Sequence, residues 1–410
     1  MMTIRTAHLP FALLLCCTTH AVAAQAARDS AGVRIIDNAR PTWTPGSEWR
    51  LSAKPVLEIG SGAGPNHEFT RIAGVTRLSD GRVVVAEQST LQLMFYDSTG
   101  RRLTSVGGKG EGPGEFRDFL TISRLAGDSI AVEMMRGATI VAPTGAFVRN
   151  VQFGPFPPGV LQTPFVAVLS RFDNGTAVVM DFPQGQRGPA GARRWVDSSS
   201  LFLVDHAGAV MRPLGKAPVA VFVAGTGRPS PLDLGPDAPH ASSGRVTYLG
   251  FNDQYAVRVY DSDWKLDRII RRAWTPQPLT ARDLDAYVDG WLKLWSKKTG
   301  AELEAERKEM RQSTYPESQP AYSAILASPA GEIWVREPDL SGAPGCWCFS
   351  GLPTAPSKWS VFDAGGRWLG DIPMPPRFIP VEIGVDYVLG RSRDADDVPR
   401  VMMYRLEKPR

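Results

Sequence analysis

A glycine-rich motif that occurs twice constrains the fold of this chain more than any other feature. Residues 59–69 and 106–116 each begin at the end of an apolar run, carry glycine at nearly alternate positions and end in Glu-Phe. The two copies lie 47 positions apart, and each is followed by mixed residues, a turn and a short β-branched run. A period of this length is typical of repeat architectures, in which each unit buries its apolar face against its neighbours.

The same unit can be followed through five repeats. In each one a glycine-containing turn precedes a short apolar run, and the runs start at Val83, Ile130, Ala177, Val246 and Ile333. A second turn, often Asp-x-x-Gly, closes the unit, as at 97–100, 205–208 and 363–366. Continuous rather than alternating apolarity is typical of strands that are covered on both faces.

A sixth unit at 386–406 lacks an outer strand, whereas the strand-like segment 51–59 has no partner of its own. Radial repetition protects strand edges, and an N-terminal strand that completes the last sheet would close the ring. The sequence therefore predicts an all-β fold, a six-bladed β-propeller over residues 49–410 that is closed by an N-terminal strand. Five or seven blades remain as alternatives because the spacing of the turns is irregular around 155–194.

One segment breaks the β pattern. Residues 280–283 have the form of a capping box, and apolar residues follow at helical spacing as far as Trp291 and Trp295. A charged, helix-prone stretch follows Gly300. We predict a two-helix insertion at 280–314 on one face of the disc, where it either braces the blades or forms a lid over the central pocket.

The first residues have the order of a secretory signal peptide. Arg5 and His8 precede an apolar segment at 9–17, and small residues with an Ala-x-Ala pattern follow it. The apolar segment is too short to span a bilayer, and no later segment is long and apolar enough. We predict a signal peptide at 1–26, an N-terminal extension at 27–48, and export to the periplasm or the extracellular space.

Composition excludes several classes of protein. The chain is 43% hydrophobic and 21% charged, which are globular values. Its net charge of +4 comes with scattered basic pairs, which argues against a nucleic-acid-binding protein. Cys346 and Cys348 alone remain after residue 26, too few for a disulfide scaffold. The histidines share no ligand spacing, so no metal site is predicted.

Three features together are similar to a known group. Residues 108–116, the opening at 29–33 and the Asp-Gly-Arg turn at 80–82 resemble bacterial exported six-bladed β-propeller proteins, relatives of the NHL-repeat class. The resemblance implies a fold and an extracytoplasmic location. It implies no activity.

Charged residues at the ends of the apolar runs are the candidate binding residues. We expect the inner strands to end in acids and one Arg-Glu pair, and two arginines to follow the Glu-Phe motifs. Equivalent blade positions converge around a propeller axis, where ligands usually bind. The predicted ligand-binding residues are Arg71, Glu87, Arg117, Glu133, Asp181, Arg336, Glu337, Trp291 and Trp295. The alternative is that the charged ones pair with each other between blades.

The glycine runs themselves predict tight turns rather than a phosphate cradle, because no helix follows them. Glu68 and Glu115 are expected to bind backbone N–H groups of those turns.

Two functions follow from these features. The favoured one is an exported, non-catalytic module that binds a peptide, glycan or protein partner without a cofactor. The alternative is a calcium-dependent hydrolase or lactonase-like enzyme with its ion on the propeller axis.

Overall fold

The computed structural model describes residues 26–60, 69–118, 121–161, 163, 165–182, 188, 192–225, 229–338 and 356–409. Its strands form six sheets, and the first strands of successive sheets contact one another around a common axis. The protein is therefore a six-bladed β-propeller, as the repeat predicts. The predicted signal peptide up to residue 25, Glu68, Cys346 and Cys348 lie outside the described residues.

The strands are numbered in chain order. Four precede the first complete blade: β1 (Ala26–Ser30), β2 (Val33–Asn38), β3 (Arg50–Leu51) and β4 (Leu57–Ile59). Blade 1 contains β5 (Ile72–Arg77), β6 (Val83–Glu87), β7 (Gln92–Tyr96) and β8 (Arg102–Gly107). Blade 2 contains β9 (Thr121–Arg124), β10 (Ile130–Met134), β11 (Gly137–Val141) and β12 (Phe147–Gln152). Blade 3 contains β13 (Val166–Arg171), β14 (Ala177–Asp181), β15 (Arg194–Val204), β16 (Val210–Val223) and β17 (Ser230–Pro231).

The second half continues in the same order. Blade 4 contains β18 (His240–Ser243), β19 (Val246–Gly250), β20 (Ala256–Tyr260) and β21 (Leu266–Arg272). The helices α1 (Ala281–Trp295) and α2 (Gly300–Arg311) follow it. Blade 5 contains β22 (Ala324–Ala327), β23 (Ile333–Arg336), β24 (Lys358–Phe362) and β25 (Trp368–Pro373). Blade 6 contains β26 (Phe378–Ile383), β27 (Tyr387–Arg393) and β28 (Pro399–Glu407), completed by β3 and β4.

The apolar runs of the repeat form the second strand of each blade, not the innermost one. All five residues of β6 and all five of β14 are buried, whereas β9, a first strand, is partly exposed. The reason is coverage: neighbouring blades cover both faces of a second strand, while a first strand borders the axis. The sequence analysis expected these runs to be the innermost strands. They are the second strands instead.

The ring closes as predicted. Strand β4 pairs antiparallel with β28, with Leu57 opposite Met403 and Ile59 opposite Val401, and Leu51 of β3 lies opposite Leu406. The side chain of Ile59 is only 2% exposed and packs in the core that blades 6 and 1 share.

The N-terminal extension forms a hairpin that the sequence does not predict. Strands β1 and β2 pair antiparallel, and β2 then adds in parallel to β21 of blade 4, with Ile36 opposite Ile270. The chain next crosses blade 5, where the backbone N–H of Thr42 donates to the carbonyl of Trp368 at 3.0 Å. Residues 26–59 thus form a strap across blades 4, 5 and 6.

The closing turns of the units, Asp-x-x-Gly in three cases and Ala-Pro-Thr-Gly at 142–145, set the contact between neighbouring blades. Gly100, Gly145, Gly208 and Gly366 have φ values of 87°, 90°, 93° and 90°. Each lies against the outer strand of the preceding blade, and a Cβ at Gly208 would lie 2.3 Å from the carbonyl oxygen of Gln152. Glycine is needed there both for its left-handed backbone and for the close approach.

The Glu-Phe motif inserts an aromatic ring between blades. Phe69 and Phe116 are 3% and 1% exposed and belong to the cores on either side of blade 1. Gly107 leaves room for the ring of Phe116, because a Cβ there would lie 2.3 Å from it. The carboxylate of Glu115 accepts a hydrogen bond from the N–H of Gly112 at 2.8 Å, as predicted. The motif is thus a turn that fixes adjacent blades.

Candidate binding site on the upper face

One face of the disc gathers two kinds of connection. Because successive strands of a blade alternate in direction, the loops between second and third strands emerge on the same face as the links from one blade to the next. We call this the upper face. The two helices lie in the link between β21 and β22 and therefore belong to it.

Helix α1 begins at the predicted capping box. The side chain of Thr280 accepts a hydrogen bond from the N–H of Asp283, and the Asp283 carboxylate accepts one from the N–H of Thr280 at 2.9 Å. Reciprocal bonds of this kind satisfy the free N–H groups of a helix start. The helix boundary in the sequence is therefore confirmed.

The helices share a small core of their own. Tyr287, Val288 and Leu292 are 0–4% exposed and pack with partly buried residues of α2. An ion pair of 2.7 Å between Arg311 and Asp285 also joins α2 to α1. The insertion is thus a folded unit.

Helix α1 crosses the upper face. The hydroxyl of Tyr287 donates to Asp233, which lies in the link between blades 3 and 4. The amine of Lys293 lies 3.4 Å from the carboxylate of Asp397, which lies in the turn between β27 and β28 of blade 6. Blades 4 and 5 lie between these two contacts on the ring, so α1 spans the face from one side to the other.

A cluster of polar groups, here called the Asp237 cluster, lies where the chain enters blade 4, four residues after the contact of α1 with Asp233. The backbone N–H of Asp237 donates to Oδ1 of Asn252 at 2.7 Å. In return Nδ2 of Asn252 donates to Oδ1 of Asp237 at 2.6 Å and to the carbonyl of Tyr322 at 2.7 Å. Asn252 is only 1% exposed, whereas solvent reaches Asp237. Asp237 is therefore an exposed carboxylate that Asn252 holds in place.

The hairpin of β15 and β16 contacts this cluster. It extends beyond blade 3, and Ala220 of β16 forms an isolated bridge with Asp237. The N–H of Leu232 donates to the carbonyl of Val221 at 2.7 Å, which fixes the start of the link. Asp233 and Asp237 are thus positioned by three different parts of the chain.

The surroundings of this cluster shift the pKa values of its titratable groups toward their neutral forms. Desolvation raises the pKa of Asp237 from 3.8 to about 6, against the hydrogen bond from Asn252. Desolvation also raises the pKa of Asp233, against the hydrogen bond from Tyr287, and it lowers the pKa of His240. At neutral pH the Asp237 cluster therefore presents an ionised Asp237 carboxylate and the neutral imidazole of His240.

The carboxylates of Glu87 and Glu133, two of the predicted binding residues, are already bonded to groups of the protein. Glu87, 1% exposed, accepts hydrogen bonds from the N–H groups of Thr70 and Arg71 at 3.2 and 3.0 Å. Glu133 forms a buried, bidentate ion pair with Arg171 at 2.8 and 2.7 Å.

The remaining members of that set vary in exposure. Asp181 accepts from the N–H of Ser200 at 2.7 Å. Glu337 lies 3.1 Å from Arg272, and Arg336 is 8% exposed. Arg71 and Arg117 are exposed, and Arg117 lies 3.2 Å from Glu111.

The charged set divides between two kinds of blade interface. Glu87, Asp181 and Glu337 lie on the side of their strands that faces the preceding blade, as the core clusters of Val85, Val179 and Val335 show. Glu133 and Arg336 stand one position earlier in their strands and face the following blade. They are not equivalent positions around the axis. Glu133 and Glu337 do form inter-blade ion pairs, but their partners Arg171 and Arg272 are outside the predicted set. A binding role for the set stays a prediction.

The two predicted tryptophans lie on α1. Trp291 is partly buried in the helical core, and Trp295 is 43% exposed at the end of the helix. The sequence analysis missed Asp233 and Asp237, because their link has no repeat pattern. Their position directly before the first strand of blade 4 is the one signal that could have found them.

Two structural findings bear on the other predictions. Among the residues that the structure describes, no three His, Cys, Asp or Glu side chains lie close enough to hold a metal ion. No helix in the described part of the chain is long and apolar enough to cross a membrane.

The strand order and the helices on the upper face define the class: a six-bladed β-propeller with a helical insertion. Its fold is similar to that of a protein of Bacteroides fragilis whose export is inferred, with a TM-score of 0.50, 10% identity, and 92% of this chain and 100% of that chain covered. It is also similar to a DUF4221 family member of Bacteroides vulgatus, with a TM-score of 0.52, 10% identity, and 88% and 99% coverage. These similarities concern the fold alone.

Other comparisons add no function. A gluconolactonase of Xanthomonas campestris matches with a TM-score of 0.41 and 12% identity over 83% of this chain and 87% of that chain, which carries no argument about activity. No family model matches the sequence, and no curated protein matches it.

Proposed function

We propose that this protein is an exported binding protein that holds a glycan at the Asp237 cluster on the upper face. The observation that carries the proposal is Asp237, a carboxylate fixed by Asn252 yet reached by solvent. Pockets with a few fixed polar groups and perturbed pKa values are the default binding sites of a fold.

The carboxylate of Asp237 favours a ligand that donates hydrogen bonds. An ionised carboxylate accepts only, and glycan hydroxyls are donors that also accept. Trp295 lies at the far end of α1, about 12 Å along the helix from Tyr287, and its exposed ring supplies an apolar face on which another sugar ring of a longer glycan would pack. Peptide and protein partners are the other ligands that the sequence analysis leaves open, and no nucleic-acid ligand is proposed.

We further propose that binding is non-catalytic and needs no metal ion. A calcium site on the axis would use acids such as Glu87 and Glu133, but backbone N–H groups and Arg171 already bind these carboxylates. Calcium would have to displace those partners before it gained ligands.

The test replaces Asp237 by Asn, which keeps the shape and the bond from Asn252. We expect Asp237→Asn to weaken glycan binding about 10-fold or more, since hydrogen bonds to charged groups contribute roughly 1.5–3 kcal/mol. Trp295→Ala should weaken the binding of a longer glycan and leave that of a single sugar unchanged. A glycan array on the chain from residue 27, followed by calorimetry at pH 7.5, provides the measurement. Asp263→Asn is the control, because Asp263 lies in an exposed turn on the opposite face.

The same variant gives a pH signature. Wild-type affinity should fall as the pH drops below about 6, where Asp237 becomes protonated, while Asp237→Asn should show no such step. Because folding raises the pKa of Asp237, its contribution to stability is largest below pH 3.8 and is lost as the pH rises through about 6. Asp237→Asn should therefore be at least as stable as the wild type at pH 7.5. An absence of glycan binding, or equal binding by the variant, would contradict the proposal.

A further inference from the structure

A cavity lies on the upper face between blades 2 and 3. Its volume is about 660 Å³, within the range of small-molecule pockets. Its walls include a basic, a polar and several aromatic or proline side chains: Arg136, Gln152, Phe153, Pro155, Phe156 and Pro157. None of these residues belongs to the Asp237 cluster, so the cavity is a separate feature.

The walls of this cavity are rigid. Phe153 is only 2% exposed, and its backbone N–H donates to the carbonyl of Arg136 at 2.8 Å. The ring of Phe156 packs edge-on against Phe202, with ring centroids 5.0 Å apart. Prolines on either side of Phe156 restrict the backbone further. The apolar surface is therefore formed before any ligand arrives.

Arg136 has an unusual backbone for an arginine. It occupies the two-residue loop between β10 and β11, and its φ is 70°. Glycine or asparagine is favoured at such a position, and other residues there are strained. Two backbone hydrogen bonds hold the conformation: Arg136 donates to the carbonyl of Val166 at 2.9 Å and accepts from Phe153. Strain of this kind is often retained where the side chain has a function.

The contacts of the Arg136 side chain do not explain why an arginine occupies this left-handed position. The residue is exposed, and within the ranges that the structure describes its guanidinium has neither an ion pair nor a hydrogen bond. Arg171, whose guanidinium lies over the ring of Phe153, behaves differently, because it is bonded to Glu133 inside the blade interface. Arg136 thus contributes an unneutralised cation to a cavity with aromatic walls.

We propose that this cavity binds a carboxylate attached to an aromatic or branched apolar group. The guanidinium of Arg136 would receive the carboxylate in a bidentate pair, as its planar fork allows. Phe156 and the prolines would contact the apolar group. Two sources share this chemistry: the C-terminal residue of a peptide and a free aromatic acid.

Four probes test the proposal by calorimetry: N-acetylphenylalanine, its amide, the tripeptide Ala-Ala-Phe and 3-phenylpropionate. The acid should bind at least about 10-fold more tightly than the amide, because only the acid pairs with the guanidinium. Its affinity should fall as salt is raised. Tighter binding of the tripeptide and N-acetylphenylalanine than of 3-phenylpropionate would assign the site to peptide ends, and the reverse order would assign it to free acids.

Arg136→Gly separates a binding role from a structural one. Glycine relieves the left-handed strain, so the variant should melt at or above the wild-type temperature while it loses binding of the acid about 10-fold or more. Arg136→Lys should retain part of the affinity, since it keeps the charge but loses the fork. Arg34→Ala, an exposed arginine on the N-terminal hairpin, is the control and should bind the acid like the wild type.

Three results would overturn the proposal: equal affinity for acid and amide, undiminished binding by Arg136→Gly, or no binding of any probe at about 10 mM.

Discussion

Gly208 shows how a single residue can set the distance between two blades. Its φ of 93° and the 2.3 Å approach of the Gln152 carbonyl to a hypothetical Cβ are separate demands on one position. Gly215 shares the first demand but not the second, because its φ is 92° and nothing lies within 4 Å of its hypothetical Cβ. The pair therefore separates backbone strain from inter-blade packing.

We predict that Gly215→Ala lowers the free energy of unfolding by about 1–3 kcal/mol, the usual cost of a strained backbone conformation. Gly208→Ala should cost at least about 1 kcal/mol more, because the outer strand of blade 2 must also move. Urea unfolding of both variants measures the difference. Equal losses would mean that the two blades separate without cost at this contact.

Residues also show where sequence reasoning stops. The Asp-x-x-Gly turns, the role of Glu115 and the cap at Thr280 are local, so the sequence predicts them correctly. Glu87 and Glu133 were expected at equivalent positions around the axis, and this expectation was wrong. They differ by one position along their strands, which turns their side chains to opposite faces. Asp237 could not be found, because its partners Asn252 and Ala220 come from separate parts of the chain.

At the scale of elements, the helical insertion is attached to the disc by a short antiparallel stem. The N–H of Leu279 donates to the carbonyl of Glu317 at 2.9 Å, and that of Gln319 donates to the carbonyl of Gln277 at 2.9 Å. The two ends of the insertion are therefore adjacent, and the residues between them can be replaced by a tight turn without stretching the chain.

We predict that replacing residues 280–316 with Asn-Gly leaves a folded propeller, because the buried residues Tyr287, Val288 and Leu292 mostly contact the insertion itself. Glycan binding beside α1 should be lost, while binding at Arg136 should persist. Calorimetry and thermal unfolding of the variant measure both effects. If the variant fails to fold, the insertion is a brace. The milder change Lys293→Ala, which removes the contact with Asp397, should then lower the melting temperature in the full chain.

At the scale of the whole molecule, the wheel depends on a pairing between β4 and β28. Ile59 faces the core shared by blades 6 and 1, while its neighbour Glu58 faces solvent and pairs with Arg400 at 2.7 Å. Adjacent residues of one strand thus offer a test of closure together with its control.

We predict that Ile59→Ala lowers the free energy of unfolding by about 2–5 kcal/mol, the range for a large-to-small change in a core. Glu58→Ala should cost about 1 kcal/mol or less, as expected for a surface ion pair. In hydrogen exchange, Ile59→Ala should speed the exchange of β27 and β6 together, since both border this core. Faster exchange in β4 alone would show that the ring does not unfold as one unit.

The strap formed by residues 26–59 has a consequence for the order of events during biosynthesis. The partner of β2 is β21, which is complete at residue 272, whereas β3 and β4 must wait for β28 at residues 399–407. A chain that still lacks β28 therefore has an open ring with unpaired strand edges. The ring closes only when β28 pairs with β3 and β4. Chaperone demand should be greatest just before that moment.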